Sequence, residues 1–149
     1  MNPESTYKIN LNGTGLEKLL IPEFYLFENS KAIERLNQSE DSSYHYHVFL
    51  YLAGFPIGFC ILFLDKDFFD HEEYEYFNFY IDYVYIKDDF RGQGYSVVLC
   101  EKIMEIIIEL SRKNKKSKYT DNSDFVSDGG YYFCLKLSEM LAERGIVSW

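Results

Sequence analysis

The segment Arg91-Gly92-Gln93-Gly94-Tyr95-Ser96 is the part of this chain best suited to hold an anion. It follows a β-like run over residues 79–86 and a short acidic turn, Lys87-Asp88-Asp89-Phe90, and it precedes an apolar helical run over residues 97–110. A strand, a glycine turn and a helix in that order gather backbone N–H groups toward one point. The first turn of a helix carries unpaired amides and a partial positive charge. Glycines let the backbone close around an anion where a side chain would intrude. The chemistry implied is a pyrophosphate cradle. The spacing excludes two familiar phosphate loops, because the Gly-Lys-Ser/Thr end of a P-loop and the Gly-x-Gly-x-x-Gly pattern are both missing from this segment.

Other residues could handle protons or cations. Asp82 stands in a dense run of aromatic and β-branched residues, 76–86, against ordinary strand preference. In general, part-burial raises the proton affinity of a carboxylate and suits it to proton abstraction. The plainer alternative is a solvent-facing Asp on an edge or splayed strand. His45 and His47 lie two apart and so share a strand face. Such a pair can bind metal, but no third ligand accompanies it, so packed or exposed strand histidines and no metal are expected. His71 sits among Asp70, Glu72, Glu73 and Glu75 in an acidic connection over residues 65–75. That cluster either draws a cationic acceptor or is simply a wet loop.

These groups need a scaffold, and the chain of 149 residues is long enough for one domain, 1–149. It is 47% hydrophobic and 26% charged, which argues for a packed core rather than disorder. A net charge of −9 disfavours nucleic-acid backbones and suits a cationic or amine substrate, or serves solubility alone. Cys60, Cys100 and Cys134 are odd in number, scattered and set in apolar runs, which fits buried reduced thiols and no disulfide framework. The N-terminal residues have neither a basic n-region nor an apolar h-region, so a cytoplasmic protein without a signal peptide is expected. The uncharged apolar stretch 48–64 is shorter than the roughly 20 residues a membrane span needs. Its Gly54, Pro56 and Gly58 split it into a buried hairpin, 46–52 and 57–64, with a turn at Ala53-Gly54-Phe55-Pro56.

The remaining elements follow from periodicity. Residues 7–11 suit a first strand. Residues 16–38 carry helical spacing in two pieces broken near Pro22, the first with Leu16, Leu19 and Leu20 on one face, the second capped by Asn29 or Ser30. The helix from Gly94 to about Arg112 has only a narrow polar stripe, Glu101, Glu105 and Glu109, and so is buried on most sides. Arg112, Lys113, Lys115, Lys116 and Lys118 crowd its end, either complementing the helix dipole or touching an anionic tail. Residues 118–125 make a weak strand. A last helix runs from Asp128 or Gly129 to about Arg144 and stops at Gly145.

The loop resembles the Arg/Gln-x-x-Gly-x-Gly/Ala segment of the Gcn5-related N-acetyltransferase (GNAT) superfamily, which binds the pyrophosphate of acetyl-CoA. Arg91 and Gly94 match, and Ser96 stands where the family prefers Gly or Ala. Ile81-Asp82-Tyr83-Val84-Tyr85-Ile86 looks like the family's fourth strand, and Gly54-Phe55-Pro56-Ile57-Gly58 like the turn between its second and third. The likeness covers roughly residues 46–141. It implies an α/β (α+β) fold with a mixed, mostly antiparallel twisted sheet flanked by helices, shortened at the C-terminal end. It also implies acetyl-CoA as acyl donor, no metal, and direct transfer to a primary amine on a small molecule or protein. Nucleic-acid and membrane partners are not expected, and a homodimer is compatible with it. Backbone groups of Val84, Tyr85 and Ile86 would hold pantetheine and the acetyl carbonyl, and Arg91, Gly92, Gln93, Gly94, Tyr95 and Ser96 the pyrophosphate. Asp82 falls where the family commonly has its base. The family's acid, a Tyr in the last helix, aligns with Cys134, while Tyr131 shares that face three residues earlier, so either protonates the thiolate or neither does. Two rival readings stand beside this one: a degenerate domain that binds CoA or a protein without catalysis, and an acidic decoy that mimics nucleic acid.

Overall fold

The computed structural model describes residues 3–68, 75–112 and 118–121, together with 136, 137, 139 and 143. Strands β1 (Thr6–Leu11), β2 (His45–Leu52), β3 (Phe55–Phe68), β4 (Glu75–Ile86) and β5 (Lys118–Asp121) form one sheet in chain order. β3 is antiparallel to β2 and β4, whereas β1 and β5 run parallel to their neighbours. Helices α1 (Ser30–Ser39) and α2 (Tyr95–Arg112) cover opposite faces. This is an α/β fold on a mixed sheet, as the sequence implies.

Coverage of both faces is why the central strands read as unbroken apolar runs rather than as alternating ones. Val48, Leu50, Cys60, Leu62, Phe79 and Ile81 are buried on the side of Leu99, Ile103 and Ile107 of α2. Phe49, Tyr51, Phe59, Ile61 and Tyr85 are buried on the other side with Phe27, Ala32 and Leu36. Each fully buried side chain of this kind stabilises by about 1.5–3 kcal/mol. The predicted stripe Glu101, Glu105 and Glu109 is the exposed edge of α2. Of the two candidate caps of α1, Asn29 takes the position, its side chain accepting from the Ala32 amide at 3.0 Å.

Three elements differ from the sequence reading. No helix forms over residues 16–20; the described segment between β1 and α1 has only a 3-10 turn, Phe24–Phe27. Asn12 and Gly15 already take positive φ angles of 54° and 79°, and Pro22 disfavours helix at Ile21. The piece left between them is too short to offset helix nucleation. Leu16 is 91% exposed, and the segment is held instead by Tyr51, whose hydroxyl donates to the Leu20 carbonyl. Burial pushes the Tyr51 phenol up to about 12, so it remains a donor. The hairpin turn is tighter than expected: Leu52 pairs with Phe55, and Ala53 and Gly54, at φ 50° and 85°, make a two-residue turn of type I′ character. Phe55 and Pro56 belong to β3, and Pro56 is tolerated because the β2–β3 register shifts beside it. The acidic connection is shorter too, since β3 extends to Phe68 and β4 starts at Glu75; His71, Asp70, Glu72 and Glu73 lie outside the described residues.

β5 pairs with β4 only along Tyr76–Phe79. Residues 136, 137, 139 and 143 of the expected last helix are helical, and Leu137 is buried in the core on the α2 side.

Candidate active site

β4 ends at Ile86, a 3-10 turn Asp88–Phe90 follows, and α2 begins at Tyr95. Gly92 and Gly94 between them adopt φ angles of 74° and 85°, a left-handed backbone that suits glycine. The Arg91 amide is consumed inside the turn, donating to Asp88 O at 3.3 Å, and Val97 N–H closes onto Gly94 O at 3.1 Å. Among the described residues, the amides of Gly92, Gln93, Gly94, Tyr95 and Ser96 donate to nothing within the protein. A Cβ built on Gly92 or Gly94 meets no atom within 4 Å beyond the chain neighbours, so neither glycine is packed against the rest of the described protein. The first turn of α2 has no acidic side chain of its own to satisfy them. The arrangement fits a phosphate group at a helix N-terminus.

The Arg91 side chain does a different job. Its Nε donates to Ile86 O at 2.8 Å, Nη1 pairs with Asp88 at 3.0 Å, and the guanidinium lies 5.6 Å from the Tyr85 ring centre. Arg91 thus ties the loop to the end of β4. Gln93 does the same on the turn, its Nε2 donating to Asp89 O at 3.1 Å.

β4 itself is bulged. Ile61 pairs with Tyr83 and Leu62 with Ile81, so Asp82 is the extra residue, without a partner on β3. The bulge places Asp82 and Tyr83 on the same face, that of α1: Arg35 of α1 reaches both, pairing with Asp82 Oδ1 at 3.6 Å and lying 5.9 Å from the Tyr83 ring centre. Ile81 and Val84 point to the α2 side. Tyr85 returns to the α1 side, where its hydroxyl donates to Phe27 O at 3.0 Å and burial pushes its phenol up. Among the described residues no strand pairs with Val84, Tyr85 or Ile86 on the β5 side of β4. On the other side β3 comes close: a Cβ at Gly58 would lie 2.5 Å from Tyr85 O.

The two histidines of β2 share the α1 face, as their spacing implies, but have separate partners. His45 Nε2 lies 3.4 Å from Asp82 Oδ2, and its Nδ1 2.6 Å from Ser42 Oγ. Its ring meets Phe63 edge-on at 5.1 Å, and Phe63 stacks on Tyr80 at 4.6 Å. His47 is buried, with Nε2 2.8 Å from Ser39 Oγ. The Ser39 hydroxyl reaches the Arg35 carbonyl at 3.0 Å, which leaves its oxygen to accept from His47 Nε2–H. His47 Nδ1 then has no partner. Burial first, and the neighbouring His45 second, push the His47 imidazole down to about 4.

The fold therefore brings Asp82, Val84, Tyr85, Ile86 and Arg91–Ser96 onto one strand-turn-helix unit. Tyr131 and Cys134 lie outside the described residues, as do Lys113, Lys115 and Lys116. Among the described residues no group of three His, Cys, Asp or Glu is arranged to hold a metal ion, and no helix is long and apolar enough to cross a membrane. Sequence reasoning missed Arg35 and Ser42. Both join Asp82 through tertiary structure alone, and nothing in their local sequence marks them.

The model of the acetyltransferase (GNAT) family matches residues 14–125. The chain belongs to the GNAT acetyltransferase family and is an acyltransferase enzyme. Similar solved structures include a ribosomal-protein-alanine N-acetyltransferase from Brucella melitensis biovar Abortus 2308, 19% identical, with a TM-score of 0.45 over 74% of this chain and 67% of that one. An acetyltransferase from Vibrio fischeri is 16% identical, with a TM-score of 0.46 over 69% of this chain and 92% of that one. An aminoglycoside acetyltransferase from an uncultured soil metagenomic sample is 14% identical, with a TM-score of 0.45 over 83% and 70% of the two chains. No curated protein matches the chain in sequence.

Proposed function

We propose that this chain is a single-domain, cytoplasmic N-acetyltransferase that moves an acetyl group from acetyl-CoA directly to a primary amine on a small molecule or a protein. The observation that carries the reading is the row of open amides from Gly92 to Ser96 at the start of α2, directly beyond a strand that carries a carboxylate at a bulge. The amides would take the pyrophosphate. The backbone of Val84, Tyr85 and Ile86 would pair with pantetheine and orient the acetyl carbonyl. The thioester supplies an activated acyl carbon.

Asp82 is the residue assigned to the amine. It takes the proton that the ammonium must lose, directly or through one water, so that the nitrogen lone pair can attack. Holding amine and thioester at contact distance supplies much of the remaining rate. The C–S bond breaks as the C–N bond forms, and the departing sulfur takes its proton from Tyr131, Cys134 or water. The net charge of −9 favours a cationic acceptor before it reaches the site.

Calorimetry with acetyl-CoA, followed by a screen of amine acceptors reading free thiol, tests the reading. Binding and amine-dependent thiol release are expected. A chain that does not bind acetyl-CoA would overturn it, and one that binds tightly but acetylates nothing would replace it with a non-catalytic CoA-binding role.

A further inference from the structure

His45 lies outside the strand-turn-helix unit, yet it is one of two side chains that grip the Asp82 carboxylate. The grip is divided by atom: Oδ1 faces Arg35 at 3.6 Å and Oδ2 faces His45 at 3.4 Å. Arg35 carries a fixed charge. The imidazole does not.

The rest of the cluster fixes how the imidazole sits. Ser42 Oγ accepts from the Tyr44 amide at 3.2 Å and lies 2.6 Å from His45 Nδ1. With its oxygen receiving Tyr44 N–H, the Ser42 hydroxyl proton is left to donate to Nδ1. Neutral His45 then carries its hydrogen on Nε2, aimed at Asp82. Both ring nitrogens are thus engaged by the protein, and Asp82 is the member of the pair left to meet a substrate. Phe63 packs edge-on against the ring and Tyr80 backs Phe63, so water is kept from one side and the charge on the imidazole is poorly screened.

We infer that His45 is a positioning residue whose protonation state sets whether Asp82 can accept the acceptor's proton. Neutral, it holds the carboxylate in line with one hydrogen bond. Protonated, it joins Arg35 in pinning Asp82 as an anion between two cations, and proton abstraction stops. The step balances simply: a proton from water enters at His45 Nδ1, the Ser42 hydroxyl turns to accept from it, and the imidazolium keeps its Nε2–H on Asp82.

The groups facing His45 leave it as the variable one. From α1 comes Arg35, from β4 come Asp82, Tyr80 and Tyr83, and from β2 and the turn before it come His47 and Tyr44. Burial pushes the Tyr83 phenol up, and His47 is pushed down to about 4. The inference rests on Asp82 acting as the proton acceptor, so the test has one arm that needs no turnover.

In that arm, the ring signals of His45 are followed by NMR as pH is varied in the wild type and in Asp82→Asn. Removing the carboxylate charge should move the midpoint to lower pH by at least half a unit; coincident curves would overturn the inference whatever the enzyme acetylates. In the second arm, kcat/KM is measured from pH 5 to 9 with a strongly basic amine that stays protonated throughout, so that its proton must be taken at every pH. The acidic limb of the wild type should coincide with the His45 midpoint. In His45→Gln, which keeps a donor but cannot titrate, the limb should move down by at least one unit. A limb that stays in place, or a rate lowered equally at every pH as a purely structural residue would give, would sink the idea. If His45→Gln does not fold, the NMR arm alone decides. Near wild-type turnover in Asp82→Asn at neutral pH would instead refute the base assignment, and the NMR arm separates the two failures.

Discussion

Asp82 and His45 meet at 3.4 Å although β3 lies between their strands. Two strand spacings put the backbones of β2 and β4 about 9–10 Å apart. The contact exists because the bulge at Asp82 turns an extra side chain onto the α1 face, where it reaches over β3 toward His45. A regular strand would send neighbouring positions to opposite faces. The bulge therefore creates the polar site, and Arg35 arriving from α1 completes it.

Asp82→Asn preserves shape and removes the proposed proton acceptor. With acetyl-CoA and an amine acceptor, kcat should fall on the order of 10²-fold or more, as is usual for a lost general base. Acetyl-CoA affinity, read by calorimetry, should stay within about twofold, since the amides of Gly92–Ser96 are untouched. The defect should shrink at high pH, where the acceptor is already neutral. The ion pairs lost are partly exposed, so the stability cost should be about 1 kcal/mol or less.

Ser96→Glu tests the phosphate cradle without straining it. Ser96 is exposed in the first turn of α2, which carries no acid. A carboxylate there complements the helix dipole by about 0.3–1 kcal/mol, so the melting temperature should hold or rise. The same carboxylate occupies and repels the anion position, and acetyl-CoA should bind at least tenfold more weakly. Wild-type affinity in a folded Ser96→Glu protein would show that the amides do not hold the pyrophosphate. Gly94→Val is a poorer probe, because φ of 85° makes any side chain there strained, and lost binding could reflect a distorted loop.

Much of this fold is legible in the chain because its signals are local. The glycines around Gln93, the carboxylate stripe of α2 and the break at Gly54 between two apolar runs each announce an element through residues near one another. The failures are where one long-range fact overrides a local pattern. Leu16, Leu19 and Leu20 have helical spacing, but flanking Gly15 and Pro22 leave too little chain to nucleate a helix, and Tyr51 takes the backbone carbonyl of Leu20 instead. Asp82 is conspicuous in sequence, but its partners Arg35, His45 and Ser42 come from a helix, a strand and a turn that only the sheet order brings together. The spacing of His45 and His47 places them on one face but does not say what each meets. The structure gives one to Asp82 and buries the other against Ser39, a division that depends on α1 crossing above them.

Ala53 offers a test of the hairpin that is independent of chemistry. It is exposed, holds φ of 50° beside Gly54 at 85°, and its amide donates to Leu11 O at 2.7 Å. Asn is preferred at the first central position of such a turn and tolerates left-handed backbone. Ala53→Asn keeps the amide, relieves the strain and should stabilise by about 0.5–1 kcal/mol, a rise of roughly 1–4 °C for a chain of this size. Proline at the same position would lose both the amide and the backbone angle, and should destabilise by more than Asn stabilises. A lower melting temperature for Ala53→Asn would mean that the hairpin does not use this turn.

His47 predicts how stability responds to acid. Its folded imidazole titrates at about 4, against an ordinary value of 6.5, because burial penalises the cation and His45 adds like charge. Between those two values the unfolded chain binds a proton that the folded protein refuses. The contribution is therefore fully present above pH 6.5 and lost as pH falls through 4. A shift of this size corresponds to about 3 kcal/mol. Urea unfolding at pH 7 and pH 4 should show the wild type losing that much more than His47→Gln, a residue of similar reach that cannot titrate. At pH 7 the order should reverse, with His47→Gln the less stable, because Gln fits the space against Phe49 less well than a ring stacked at 6.3 Å does. Acetyl-CoA should shift both proteins equally if it sits at the proposed cradle, which lies at the start of α2 while Ser39 ends α1. If the two proteins lose stability in parallel from pH 7 to pH 4, His47 is not buried neutral, and the packing of α1 onto β2 is other than described.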